Sequence, residues 1–487
     1  MMTEQPRWMA LPQPTTAALT GGSWRPAAVQ VITDDPALTR EAARLERELG
    51  TLGIPNGDGA FVRLLRDERG AATPESFQIE VRGDIDVRVP SAVGAFRATR
   101  QILHNLRAQD AVPCGNLRSD PVVRERGLHL DAARKYFPAA SILELLHTVA
   151  DIGINVVQWH LSENEGFRIG SEQFPSIVSP EHVSRADVLR IADTATELQI
   201  DLIPSLDMPG HLGAVLAAHP ELRLHDADGH PLSDALDITR AEAITFAHQL
   251  IDDIAPLFPH STRWNLGGDE FVDFARIDDY PVLDRAARER FGEYATGFDV
   301  LTDFVNSTAD HLRARGFDAR VWNDGMLRGR VVGLDPEVAL TWWTNWHVDM
   351  SPLAAALSAG NPLVNFNDGL FYYVLGEKAG YTYPTSARIW DADWHPGLFP
   401  SLPGGARQEI TAPYPPALLG SAFSVWADDE EEQSVEQVFD GIRSPLRAMA
   451  ERAWNGGSGL TVVEFDDIDA RIGHTPALDT HRRTLYA

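Results

Sequence analysis

The sequence predicts an α/β chain, a (β/α)8 TIM barrel preceded by a small α+β domain, and three observations predict it. From Arg126 onward, short apolar runs alternate with amphipathic helical stretches, the rhythm of a parallel sheet with crossover helices. Eight such runs occur, the number that closes a barrel. The far ends of those runs are crowded with polar side chains, which is where barrels of this kind carry their working groups.

The elements follow in order. Between about residues 24 and 110, short β-like runs (Val29 to Thr33, Phe61 to Leu65, Phe77 to Val81, Ile85 to Val89) mix with helices from Pro36 to Gly50 and Ser91 to Leu106, an α+β module of its own. The barrel strands are expected at Gly127 to Ala132, Asn155 to Leu161, Asp201 to Leu206 and Arg263 to Gly267, then at Arg320 to Trp322, Val338 to Trp343, Leu363 to Phe366 and Gly420 to Trp426. Helices are expected at Ala139 to Ile152, Arg185 to Leu198, Ala241 to Leu257, Asp299 to Arg315 and Ser434 to Trp454, from apolar residues three and four apart. We divide the chain at residues 1–120 and 121–487. A Pro-, Gly- and aromatic-rich loop from Gly376 to Pro416 is too long to be mere linkage and is expected to shape a site.

Composition narrows the function classes. Lys and Arg total 42 against 70 Asp and Glu, a formal net charge of -28, which argues against nucleic acid or an acidic membrane face as partner. A lone cysteine, Cys114, excludes an intramolecular disulfide and a Cys-based metal cluster. The opening stretch carries prolines and polar residues where a signal peptide needs a basic start and an unbroken apolar run, so a cytoplasmic location is the expectation. Nothing later reads as a membrane span. Twelve tryptophans suit a sugar binder, although cores also use Trp freely.

Read in order, the strand ends supply Asp131 with Arg134, His160 to Glu165, Asp207 to His211, Asp269 with Glu270, Trp322 to Asp324, Trp342 with Trp343, Asn365 to Asp368, and Trp426 to Asp429. The sharpest element is Gly267-Gly268-Asp269-Glu270, after the apolar run Trp264 to Leu266. Glycines let the backbone approach a ligand, and adjacent carboxylates at a strand end can project into one pocket. Like charges held together do not both ionise easily, so one is expected to stay protonated near neutral pH. That is what a general acid acting on a glycosidic oxygen requires. Taken alone, the tetrapeptide also reads as a surface turn.

On these residues the chain resembles glycoside hydrolase family 20, the β-N-acetylhexosaminidases. The segment Arg126 to Arg134 resembles that family's first-strand motif, His160 to Arg168 its second, Asp207-Met-Pro-Gly-His211 its third, and Gly267 to Glu270 its paired carboxylates. Glu75 to Ile79 with Ser91 to Phe96 and Thr99 to Leu103 is similar to the non-catalytic domain that precedes the barrel there. The resemblance implies a retaining exo-hydrolase of terminal β-linked GlcNAc, and of GalNAc, in which the substrate's own acetamido oxygen attacks and forms an oxazolinium ion. It implies Glu270 as general acid and base, and Asp269 as acceptor of the acetamido N–H. It places His211 and Glu163 behind the glutamate, with Glu163 standing where Asp is commoner. Arg126 would fork onto sugar hydroxyls, Trp322, Trp343 and Trp426 would wall the sugar, and Tyr372, with Tyr373 as rival, would meet the acetamido oxygen. Asp428 would hold the outer hydroxyls where many members use Glu.

Plainer readings stand beside these. Trp322 and Trp343 also suit barrel core, His211 a satisfied core histidine, and Arg134 a structural pair with a strand-end carboxylate, outside the site. Asp226-Ala-Asp228-Gly229 reads as a turn rather than a calcium loop, and the histidines lack zinc spacing, so no metal or cofactor is expected. The expected partners are small oligosaccharides, bound by a monomer or homodimer. The Trp322 to Gly325 and Asn365 to Gly369 stretches look more like the dispersin and lacto-N-biosidase branches, which would change the substrate to a β-1,6-linked polymer or a terminal disaccharide. A catalytically silent N-acetylhexosamine-binding protein and a metal-dependent barrel hydrolase are the readings from other classes.

Overall fold

Hydrogen bonding carries the main sheet from strand to strand until it closes. A computed structural model of the chain describes residues 7–376 and 379–473. Eight parallel strands run in ring order Glu125–Asp131, Val156–Ser162, Asp201–Leu206, Arg263–Asn265, Asp318–Trp322, Ala339–Trp342, Leu363–Asn365 and Leu418–Trp426. The seventh pairs with the eighth and the eighth with the first, which shuts the barrel. Every run expected from the sequence is one of these strands, with ends shifted by no more than two residues.

The strands read as near-continuous apolar runs because helices cover their outer faces and side chains fill the interior. Helices Ala139–Asp151, Arg185–Glu197, Ala241–Ile254, Gly297–Arg313 and Val435–Asn455 sit where the amphipathic pattern puts them. Two start on reciprocal caps, in which the Thr296 or Ser434 side chain and the residue three further on satisfy each other's backbone N–H.

The amino-terminal module is a six-stranded mixed sheet. Across it lie Thr16–Trp24, Val112–Ser119, Phe77–Val81, Ile85–Val89, Ala60–Arg66 and Val29–Ile32. The first two strands went unread: one is mostly exposed and contains two glycines, the other contains Pro113 and Gly115, so neither alternates cleanly. Helix Ala92–Gln109 is buried without a break from Gly94 to Leu106, because the sheet packs on one face and the barrel on the other.

That junction is charged as well as apolar. Glu75 accepts from Arg126 at 2.6 and 2.7 Å and from Arg97 at 2.8 Å, all of them buried. Trp454, in the last turn of the last barrel helix, crosses into the small module's core, donates to Ser119 at 2.8 Å and lies 4.7 Å under the Arg126 guanidinium. Among the described residues, no helix is long and apolar enough to cross a membrane.

Candidate active site

At the carboxyl ends of the strands the barrel opens into a cavity of about 290 Å³. The size suits one or two sugar rings rather than a long chain. Its rim and walls include nine of the predicted residues, Glu163, His211, Asp269, Glu270, Trp322, Trp343, Tyr372, Trp426 and Asp428. The aromatic groups form a cup: the Trp343 and Tyr372 rings are parallel within 2°, 5.9 Å apart, and Trp426 stands 5.8 Å from Tyr372 and 5.9 Å from Trp322. Flat apolar faces beside polar groups suit a ring with one C–H face and several hydroxyls.

The backbone explains how the acids reach this cup. Gly267 has φ +79°, and a Cβ there would lie 1.3 Å from the Asp207 carboxylate, so the third and fourth strands can press together only if that position has no side chain. Glu270 itself sits at φ +40°, an uncommon conformation for a side-chain-bearing residue, and its N–H is held by Asp324 at 3.0 Å. The turn leaves Asp269 buried and Glu270 half-exposed, side by side.

Their electrostatics follow from crowding. Burial and the Asp269 charge push the Glu270 carboxyl group above its ordinary range, with His211 opposing. Burial and Asp269 likewise raise Asp207 well above normal, and raise Asp324 to about 7. His211 is the cation among them. Burial alone would discharge it, yet Glu163 and Asp269 hold it protonated well above the usual histidine range. Its Nδ1 is 3.0 Å from Glu163, and its Nε2 is 3.6 Å from both Asp269 and Glu270. Glu163, although buried, is kept ionised well below the usual range by His211, His160 and Arg134. Asp269 shares a hydrogen bond with the protonated Asp207, and the indole N–H of Trp322 is buried without a partner among the described residues. Native interiors rarely leave such a group unmatched, and here it borders a cavity.

Two expectations about arginines are corrected. Arg126 is not a site residue: it lies near the start of the first strand, at the opposite end of the barrel, wholly buried against Glu75 and Trp454. Five residues of strand separate it from Asp131, roughly 16 Å. Arg134, set aside as structural, does line the cavity while pairing with Asp131 at 2.9 Å and Glu163 at 2.8 Å. Its place one turn beyond the strand end was the available signal.

The tyrosines also separate. Tyr372 faces the cup, whereas the Tyr373 hydroxyl turns away to donate to Gln433 at 3.0 Å. Sequence reasoning missed Trp346 and Tyr381, which both reach Asp368 (2.8 and 3.2 Å) and add to the wall. Tyr381 comes from the long loop after Gly376, so part of that loop does shape the cavity; its Glu377 and Lys378 lie outside the described residues. The rest of the loop folds into helix Ser386–Asp391 and the pair Leu398–Phe399 and Gln408–Glu409.

Ligand atoms of His160, Glu163 and Asp207 lie within 4.8 Å of one another, close enough for a cation. Glu163 is already committed to Arg134, His211 and the Asn164 N–H, however, and two of those partners are themselves cations. The donor set therefore does not fit a resident metal.

Fold and site together define a barrel protein that presents paired acids to a small ligand in an aromatic cup. The profile of glycosyl hydrolase family 20, catalytic domain, matches residues 125–457, and the chain belongs to this family. Among curated relatives it is similar to the lacto-N-biosidase of Bifidobacterium bifidum, 26% identical over 94% of this chain and 42% of that one. It is also similar to the β-N-acetylhexosaminidase of Cellulomonas fimi, 25% identical over 87% and 82%. The chain spans about half or less of the first curated relatives it matches, including 52% of β-hexosaminidase subunit A1 of Dictyostelium discoideum. In fold it resembles the family 20 β-N-acetylhexosaminidase of Streptomyces coelicolor, with a TM-score of 0.73 at 18% identity, over 98% of this chain and 99% of that one.

Proposed function

We propose that the protein hydrolyses terminal, non-reducing β-linked N-acetylhexosamines, GlcNAc and GalNAc, with retention and with the substrate's acetamido group as nucleophile. The observation that carries this reading is the half-exposed Glu270, its carboxyl group pushed above its ordinary range beside the buried Asp269, both facing an aromatic cup. Glu270 protonates the leaving oxygen and then takes a proton from the incoming water. Asp269 accepts the acetamido N–H, turning the carbonyl oxygen toward the anomeric carbon, and its charge stabilises the ring as positive charge develops. Trp322, Trp343 and Trp426 exclude water from the intermediate, and Tyr372 donates to the acetamido oxygen. Arg134 and Asp428, on the same wall, hold ring hydroxyls. His211 and Glu163 keep a fixed positive charge behind the acids.

Chitobiose is the direct test. Wild-type protein should release GlcNAc, and Glu270→Gln should lower kcat by roughly 10² to 10⁴-fold, the contribution of a positioned acid. Comparable hydrolysis of the 2-hydroxy analogue would remove the substrate-assisted step. Release of an intact disaccharide is the second reading, favoured by the Bifidobacterium bifidum relative, which aligns with 94% of the chain. Faster turnover of a lacto-N-biose glycoside than of chitobiose would establish it.

A further inference from the structure

Next to the cup lies a second cavity of about 250 Å³, which shares Glu270, Trp343 and Trp346 with it. A general acid must stand on the leaving-group side of the bond it protonates, so the space beyond Glu270 is where a leaving sugar would sit. This step rests on the function proposed above.

That second cavity is lined by three carboxyl groups and a single guanidinium. Its wall carries Arg328, a half-buried guanidinium that donates to the backbone carbonyls of Asp324 and Phe274, both at 3.4 Å. No carboxylate among the described residues lies within ion-pair reach of it. Arg134, across the shared wall, shows the contrast by reaching Asp131, Glu163 and Glu165. Arg328 is nevertheless held in place, 4.1 Å over the Phe298 ring and 5.7 Å over that of Phe274. Asp349 and Asp324 act on its charge from beyond ion-pair distance, and a guanidinium fork fixed by aromatic faces with no carboxylate bonded to it can accept a planar anion. His347 adds a second donor to the same wall. Of the three acids there, Asp273 caps the Ala275 N–H at 3.0 Å, Asp324 accepts from the Glu270 N–H at 3.0 Å and the Trp343 indole at 3.2 Å, and Glu270 is the proposed proton donor.

We propose that this cavity receives a leaving sugar that carries a carboxylate, and that Arg328 recognises that carboxylate. Sugar stacking falls to Trp346, which is half-exposed between the two cavities and packs 4.5 Å from Trp343.

The experiment compares kcat/KM of the wild-type chain on GlcNAc-β-1,4-glucuronic acid, on its methyl ester and on GlcNAc-β-1,4-glucose. The free acid should be cleaved about tenfold faster than either neutral partner, the effect of one charge-assisted hydrogen bond in a partly buried site. Arg328→Met should bring the ratio to near one, and Arg328→Lys should retain part of it. A second pair, GlcNAc-β-1,4-N-acetylmuramic acid against chitobiose, moves the carboxylate to an ether at position 3. Preference for the acid in either pair supports the proposal and locates the carboxylate, and equal rates within both pairs overturn it. The wild-type ratios decide the matter even where a variant folds poorly. If 4-nitrophenyl β-N-acetylglucosaminide is cleaved while both ratios are one, this inference alone falls. If no β-N-acetylhexosaminide is cleaved, the proposed function falls with it.

Discussion

The two ends of the barrel use the same residue types to opposite effect. At the amino-terminal end each buried acid meets arginine: Glu75 meets Arg126 and Arg97, and Glu125 meets Arg320 and Arg263. Burial would raise both carboxyl groups, but the guanidinium charges win and hold them below the ordinary range. At the carboxyl-terminal end, Asp207, Asp269, Glu270 and Asp324 crowd around His211, with Arg134 on the same cavity wall, and three of the four are pushed up. Matched charge holds a structure together, whereas surplus acid keeps protons available for transfer.

The largest expected effect separates the two arginines. Arg126→Met leaves buried Glu75 short of a partner and should lower unfolding free energy by roughly 3 to 5 kcal/mol in denaturant titration. Its kcat/KM per folded molecule should stay at the wild-type value, because nothing in the cup moves. Arg134→Met should cut kcat/KM about tenfold or more, since it removes a charge from the cavity wall. A similar loss of activity in both variants would erase the contrast between the ends.

Asp324→Asn probes the surplus acid. Because the folded-state carboxyl group is raised from 3.8 to about 7, the wild-type protein binds more protons folded than unfolded between those values, and its stability falls as pH rises through that window. Asn mimics the neutral form and should flatten this slope, so that its melting temperature relative to wild type climbs from pH 4 to pH 7. A difference that does not change with pH would mean that Asp324 is ionised throughout.

The smallest effect concerns His211, whose charge lowers the Glu270 carboxyl group against burial and Asp269. In His211→Asn the basic limb of the pH profile of kcat/KM should move upward, by about one unit or less. A downward shift would contradict the geometry, in which His211 Nε2 stands 3.6 Å from Glu270.

Periodicity made the eight barrel strands legible, because each is a continuous apolar run between helices. The strand Thr16–Trp24 was not, since an edge exposed to solvent has no reason to alternate. In the site, motif spacing identified Asp269, Glu270, His211 and the tryptophans, all of which stand at strand ends. It misled on Arg126, because a motif records neighbours along the chain and says nothing about which end of a strand a residue occupies. Trp346 and Tyr381 were hidden for another reason: both enter the cup from loops, whose path depends on tertiary contacts such as their shared partner Asp368. That Arg328 makes no direct ion pair is likewise not legible in the sequence, which gives charges but not their distances.

Trp454 carries one more consequence. Its indole belongs to the last barrel helix by chain position, yet it is buried among the side chains of the small module and supports Arg126 from below. Cutting the chain after residue 120 would therefore strand a large apolar ring in water and leave a guanidinium without its acid. The module acts as a plug in the base of the barrel, and the two pieces should denature in a single step.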